Sequence, residues 1–471
     1  KKGKITEPYI DDITWNDLDM DRIFAYANHA KSSPGEEYLY YLLRTPVSDQ
    51  TVLDERERLI RFFQTHEKER LELELCFAEI GRTRKFAISD YVDLLVTLKK
   101  EKNGIHYLAL GTIPLGLLLM TVLPQGVGFL LMIGLLVFDI SQYYKRKGEI
   151  DPYLTTFSHI MKMLNASKEL AGLQIAEVQE YIDRIEHARN QFRKFERGST
   201  ILMARNGATG SLEDAVLDFV RMFTHIDLLK FNSMLEEVKK NVSEIDVLVD
   251  NIGVLDAMIS AASFRESLPL YGIPEFVKTE KAFVELQDVY HLLITEPVAN
   301  SIVEKRSVLL TGSNASGKST FLKTVAINAI ISQSLNTCIA TSYKASFFQI
   351  YSSMALKDNL QGNESYFIVE IKSLKRILSH AEDSLPMLCF VDEVLRGTNT
   401  LERISASSQI LKSLVRENVL CFAATHDLEL TQILVSRNAI QLLKIIGYDE
   451  EIIEHAEYTA AHFLETGEWS L

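Results

Sequence analysis

The sequence predicts a two-part fold. A C-terminal α/β region with a mostly parallel sheet is joined to an all-α region, which an apolar two-helix hairpin interrupts. Three observations carry this reading. From about residue 275 short apolar runs of strand length alternate with helical stretches, whereas the residues before it keep helical spacing. A glycine-bearing decamer, TGSNASGKST at residues 311–320, lies between one such run and a helical stretch. Residues 103–138 contain no Asp, Glu, Lys or Arg.

Composition bounds the rest. At roughly 100–200 residues per domain, a chain of 471 residues divides into two to four domains, and 47% hydrophobic residues suffice for a large core. Fifty Lys and Arg against 64 Asp and Glu leave a net charge of −14. Such a chain is soluble and is not a general polyanion binder; only a local basic face would serve a nucleic acid. Cys76, Cys338, Cys389 and Cys421 are far apart and lack metal-ligand spacing. They read as reduced, buried thiols of a cytosolic protein. The first residues, KKGK, carry no signal peptide pattern and no Met.

Taken in order, residues 1–100 form a helical core domain. GEEYLYYLLRTP (residues 35–46) has apolar residues at helical spacing and stops at Pro46. DERERLIRFFQTHEKERLELEL then continues as a charged amphipathic stretch. Residues 101–147 form the apolar hairpin. A membrane span needs about 20 residues, with a lower limit near 17, and the run supplies two spans, about 105–123 and 126–143. LPQG at 123–126 is the turn. KKEK (99–102) and KRK (145–147) flank it, so both ends fall on the cytoplasmic side. A core hairpin of a soluble protein is the competing reading; length, missing charge and two basic flanks favour the membrane. Residues 148–274 return as long helices. Ile245, Leu248, Ile252, Leu255, Ile259 and Ala262 step by three and four and make a seam for another helix, within the chain rather than between chains.

Residues 275–471 carry the chemistry. SVLLT (307–311), MLCFV (387–391) and VLCFAAT (419–425) are continuous apolar runs, the mark of parallel strands covered on both faces. The decamer fits GxxxxGK[ST], the Walker A pattern of a phosphate-binding loop. Its cradle runs through Gly312, Ser313, Asn314, Ala315, Ser316, Gly317, Lys318, Ser319 and Thr320. Backbone N–H groups and the following helix N-terminus would face phosphate oxygens. Lys318 would reach the β- and γ-phosphates of ATP or GTP and Ser319 would ligate Mg²⁺. About 70 residues on, the second run ends in Asp392 and Glu393, a Walker B arrangement. Asp392 is expected to hold Mg²⁺, directly or through water, and Glu393 to act as general base on the attacking water. The third run ends at His426, read as a γ-phosphate or water contact; alone it would be an ordinary surface histidine. Ser365, in the polar loop of GNESYFIVEIKSLKRIL, opens another helix whose N-terminus suits an anion. One phosphate group is already served, so a second nucleotide across a two-fold dimer is expected there.

On these residues the chain resembles the MutS family, the ABC-type ATPases of DNA mismatch repair. The matching strings are TGSNASGKSTFLK, GNESYFIVEI, LCFVDEVLRGTNTLE and ATHDLEL, of which DE-x-x-RGT-x-T-x-E is the most specific. GEEYLYYLLRTPVSDQTVLDERERLIRFF resembles the family's helical core, and LDAMISAASF to GIPEF its return into the ATPase. The resemblance implies an ABC/MutS-type ATPase domain at 275–471, an all-α core and lever, and a homodimer with two nucleotides at the interface. It implies that Gly312, Asn314, Gly317, Lys318, Ser319 and Thr320 bind phosphates and Mg²⁺. Ser365 would meet the partner's γ-phosphate, RGTNT (396–400) would report on the opposite site, and EPVANSI (296–302) would line the adenine, on the loosest match. The family's mismatch-reading and connector domains have no counterpart in the sequence, the lever region is interrupted by the hairpin, and the segment after the His motif is short.

The expected function is a dimeric MutS-like ATPase whose nucleotide-driven head closure moves lever helices, anchored through residues 103–142 at the cytoplasmic face of a membrane, the bacterial inner membrane by expectation. A DNA clamp of the mismatch-repair type is the alternative; RIEHARNQFRKFERG (184–198) is its best basic stretch, which reads more readily as a solvated helix face. A transport component is a third reading, disfavoured because two spans are few for a path and carry no charge to mark one.

Overall fold

The computed structural model describes residues 8–83, 88–98, 103–199, 202, 219–312, 316–354, 366–395, 400–427 and 430. The chain forms two compact units. One comprises residues 1–28, 40–58 and 261–471, and the other comprises 29–39 and 59–260. The crossings at 39/40, 58/59 and 260/261 fall within helices.

In the first unit, four strands make an all-parallel sheet. β4 (Val308–Thr311), β8 (Val419–Thr425), β7 (Met387–Asp392) and β6 (Gln349–Ser353) lie side by side in that order. Every residue of β8 is buried, as expected of a strand covered on both faces. Alternation along β7 serves the two covers. Met387, Cys389 and Val391 pack with Leu374, Ile377, Leu411 and Leu414 of α14 (Tyr366–His380) and the α15 region (Thr400–Ser413). On the opposite face Phe390 stacks on Phe422, which meets Phe321 of α13 (Lys318–Leu335). A second sheet orders β1 (Glu275–Val277), β5 (Ser342–Ser346), β2 (Val284–Val289) and β3 (Asn300–Glu304), with only the β1–β5 pair parallel.

The first unit also takes in residues assigned from sequence to the helical core. The reason is polar. Asp17 of α1 (Asp12–Asp17) accepts hydrogen bonds from Ser352 Oγ at 2.7 Å and Met354 N at 2.9 Å, which seats α1 on β6. Within α4 (Gln50–Thr65), Arg56 donates to the Ser334 carbonyl at 2.6 Å. Glu57 receives both Nη atoms of Arg265, which is 1% exposed and also donates to Thr337 Oγ1 and the Asn336 carbonyl. These groups satisfy the orphan carbonyls at the C-terminal end of α13, where Asn336 adopts a left-handed φ of 48°.

The second unit is helical throughout its described residues. The predicted seam on α12 (Val242–Ser267) is buried, with Ile245, Leu248, Ile252, Leu255 and Ile259 each 1% exposed or less. Asp256 on the same helix accepts from Lys31 N, Ser32 N and Ser32 Oγ. A Cβ at Gly35 would lie 2.2 Å from the Asp256 carboxylate, so glycine is required there. Phe157, Phe195 and Phe231 form an aromatic cluster.

The apolar run folds as α7 (Gly104–Val122) and α8 (Gln125–Leu170), joined at Leu123 and Pro124. A Cβ on Gly128 would sit 2.6 Å from the Leu119 carbonyl, so the helices approach backbone to backbone near the turn. Both helices are long and apolar enough to cross a membrane by length and composition. Their outer faces are exposed, Leu108 at 75% and Leu130 at 69%. The second predicted span lies in the first part of a 46-residue helix that continues past residue 143 and through Pro152. At the open end of the hairpin His106 Nδ1 lies 3.1 Å from His225 Nδ1, and the Tyr143 hydroxyl donates to Asp227 at 2.9 Å. The flank at 99–102 lies outside the described residues.

All four cysteines are free and buried. Burial pushes the Cys76 and Cys338 thiols up to about 11, so native protein at pH 7.5 is expected to resist iodoacetamide at both; fast labelling at either would contradict the fold. Glu57→Ala leaves the Arg265 guanidinium buried without its carboxylate. The expected loss is about 3 kcal/mol, read as a lower urea midpoint of the unit that contains it.

Candidate functional site

The site lies at the C-terminal edge of the parallel sheet. Three adjacent strands, β4, β8 and β7, end there and deliver the phosphate-loop sequence, His426 and the Asp392–Glu393 pair. Gly312 follows β4 with φ of 155°, and Gly317 has φ of 88°. Gly317 caps α13, so the loop turns directly into a helix N-terminus. A Cβ on Gly312 would meet Ser316 Oγ at 3.0 Å, so the loop closes tightly on itself.

Lys318 Nζ donates to the Gly312 carbonyl at 2.8 Å and lies 3.5 Å from His426 Nδ1. His426 Nδ1 is itself 3.0 Å from the Gly312 carbonyl. Ser319 Oγ donates to Asp392 Oδ2 at 2.5 Å. His426 Nε2 lies 2.7 Å from Glu393 Oε1. The structure therefore brings Gly312, Ser316, Gly317, Lys318, Ser319, Asp392, Glu393 and His426 to one place, with Thr320 following in the first turn of α13. Ser313, Asn314, Ala315, Ser365 and residues 396–399 lie outside the described residues. The sequence proposed for the adenine is partly strand: Asn300 begins β3, an edge strand of the second sheet, and Val298 is 81% exposed.

A hydroxyl and a carboxylate in contact form an all-oxygen pair, which suits a hard cation such as Mg²⁺. The glycine loop and the helix N-terminus beside it suit a phosphate chain. On chemistry and placement the residues present fit Mg-ATP.

Sequence reasoning missed the supports of this site. Glu393 and Leu395 both take left-handed backbone, with φ of 52° and 61°. Glu393 N donates to the Ala424 carbonyl at 2.9 Å, and Leu395 N donates to Glu370 Oε1 at 2.5 Å. Ser407 Oγ donates to the Val394 carbonyl at 3.2 Å. Arg403 holds Asp427 through two hydrogen bonds of 2.9 and 2.6 Å, which fixes the chain just after His426. Glu370 and Arg403 sit in amphipathic helices, where a lone charge reads as solvent-facing. No spacing rule marks them.

An α/β unit with a glycine loop between strand and helix, and paired carboxylates at the end of a neighbouring strand, defines a P-loop type of head. Comparison with known proteins narrows this. Residues 308–461 match the family model of MutS domain V. The relatives include DNA mismatch repair protein MutS of Leptospira interrogans serogroup Icterohaemorrhagiae serovar copenhageni, 32% identical over 237 residues that cover 47% of this chain and 27% of the relative. MutS protein homolog 4 of Mus musculus is 30% identical over 272 residues, covering 50% of this chain and 28% of the relative. DNA mismatch repair protein MutS of Finegoldia magna is 24% identical over 464 residues, covering 87% of this chain and 52% of the relative. These matches place residues 308–461 with MutS domain V and support the chain's likeness to MutS-family proteins. It spans between about a quarter and about half the length of these curated relatives.

Gly317→Ala meets no atom within 4 Å, so its cost is backbone strain alone. A loss of about 1–2 kcal/mol is expected, seen as a lower melting temperature without nucleotide; an unchanged melt would mean that the loop adopts another backbone.

Proposed function

We propose that this chain is a MutS-type ATPase that binds and hydrolyses Mg-ATP as a homodimer and is held at the cytoplasmic face of a membrane, a bacterial inner membrane, by its apolar hairpin. The observation that carries the catalytic part is the convergence of Ser319 with Asp392 and of His426 with Glu393 beside the glycine loop.

The chain's own residues would divide the work as follows. Backbone N–H groups of the loop and the start of α13 bind the phosphates, and Lys318 adds a full positive charge. Ser319 and Asp392 hold the cation. When bound, Mg²⁺ would withdraw charge from the phosphate oxygens. Glu393 takes a proton from the attacking water at its carboxylate. His426 orients that carboxylate through its Nε2 contact. The partner's nucleotide would be met by Ser365, with RGTNT along the interface, as the family resemblance implies. Residues 29–39 and 59–260 would then carry head movement away as the core and lever helices, with 101–147 in the bilayer.

The membrane part is supported by two exposed apolar helices of sufficient length. A soluble protein rarely leaves so large an apolar surface uncovered. A second reading, an ATP-gated clamp on duplex DNA, is supported by the names of the relatives. Against it stand the net charge of −14 and the state of the best basic stretch, where Arg184 pairs with Glu180 and Arg189 with Glu196.

Glu393→Gln should lower ATP turnover by about 10²–10⁴-fold while MgATP still binds; turnover equal to the unaltered chain would sink the assignment. Lys318→Ala should lose nucleotide binding itself. Removing residues 103–142 should move the protein from the membrane pellet to the supernatant, and an intact chain already found in the supernatant without detergent rejects the anchor. Salt-sensitive stimulation of turnover by duplex DNA would establish the clamp reading.

A further inference from the structure

We propose that Glu370 is a positioning residue for Glu393, acting by holding the backbone turn on which the Glu393 side chain is mounted. This rests on the reading of Glu393 as the general base.

The turn from Asp392 to Leu395 is unusual in its backbone. Two non-glycine residues, Glu393 and Leu395, occupy left-handed conformations within three positions. Such conformations persist only where the surroundings over-determine them. Here the restraints come from three elements. β8 accepts from Glu393 N through the Ala424 carbonyl. α15 supplies Ser407 to the Val394 carbonyl. α14 supplies Glu370 to Leu395 N. The Val394 and Leu395 side chains are 5% and 4% exposed and pack with Ile377, Leu411 and Leu414, so the turn cannot relax outward without opening the core.

Glu370 differs from the other two supports. Its side chain is 4% exposed, and a carboxylate so buried is costly unless its oxygens have partners. It also sits on α14, which enters neither strand of the β7–β8 pair. Any shift of α14 along its axis therefore pulls on Leu395 N, two residues beyond the base. Glu370 thus acts first on where the Glu393 carboxylate points; Gly312 and Lys318 lie further on, beyond the Glu393–His426 contact.

The test uses the full chain in detergent, with Glu370→Ala and Glu370→Gln. Hydrogen exchange of the peptide carrying Leu395 is followed without nucleotide, and kcat and KM are measured with MgATP. Misplacing a reacting group by about 1 Å costs on the order of 10²-fold, so Glu370→Ala should exchange faster at Leu395 and lose about 10–100-fold in kcat, with KM held within about twofold. Glu370→Gln keeps the carbonyl oxygen that accepts from Leu395 N and should restore most of kcat. Unchanged exchange in Glu370→Ala overturns the proposal, and so does an unchanged kcat. A joint fall of kcat, nucleotide affinity and melting temperature that Gln does not rescue also overturns it, in favour of a purely structural carboxylate. If the unaltered chain hydrolyses no ATP, the function proposed above fails; the exchange at Leu395 then still decides whether Glu370 holds the turn.

Discussion

Parallel pairing of β4, β8 and β7 is the constraint on which the site depends. Strands that run the same way end at the same sheet edge, so three loops distant in sequence open side by side. Gly312 and His426, 114 positions apart, come within 3.0 Å because β8 lies directly against β4. Asp392 reaches Ser319 across β8 for the same reason. None of these contacts is local in sequence, and each would be lost if one strand shifted register by a residue. The register is held by cores on both faces, the phenylalanine stack toward α13 and the Leu–Ile–Met–Cys cluster toward α14 and α15.

Much of this was legible in the sequence, for identifiable reasons. Continuous apolar runs named the three strands: β7 and β8, buried on both faces, have no polar alternation to hide them, whereas β4 at the sheet edge is only partly buried. The glycine loop was legible because positive φ at Gly317 and the approach of Ser316 to Gly312 demand glycine. The seam from Ile245 to Ile259 was legible because helix packing enforces its period. Strand order was not legible: nothing in 387–391 or 419–425 says which lies next to β4. The second sheet was missed as well. Its β2 has burial broken by exposed Gln287 and Asp288 and a bulge after Leu286, so it shows no clean period. Placement of residues 8–28 with the sheet turns on Asp17, a single buried carboxylate in an otherwise ordinary amphipathic helix.

The end of α13 shows how polar groups can tie a helix that opens at the glycine loop to its surroundings. Its N-terminus carries Lys318 and Ser319, and its last carbonyls meet Arg56 and Arg265. Guanidinium groups are well suited to this, since each offers several fixed donors and stays charged. Glu57, itself partly exposed, pairs with the buried Arg265 guanidinium. The helix is therefore restrained at the end opposite to the loop, and a displacement felt at Lys318 is passed on along a stiff rod rather than absorbed.

The 46 residues of α8 have a mechanical meaning of their own. At 1.5 Å per residue the helix measures about 69 Å, more than twice the roughly 30 Å of a bilayer's hydrocarbon interior. The apolar residues of this helix cluster before Lys145, and the remainder carries most of its charge. A single unbroken backbone thus joins an apolar stretch to a charged one, and Pro152, which cannot donate to the turn before it, is a built-in point of compliance. Torque applied to one end would be expected to reach the other with little loss on either side of that point.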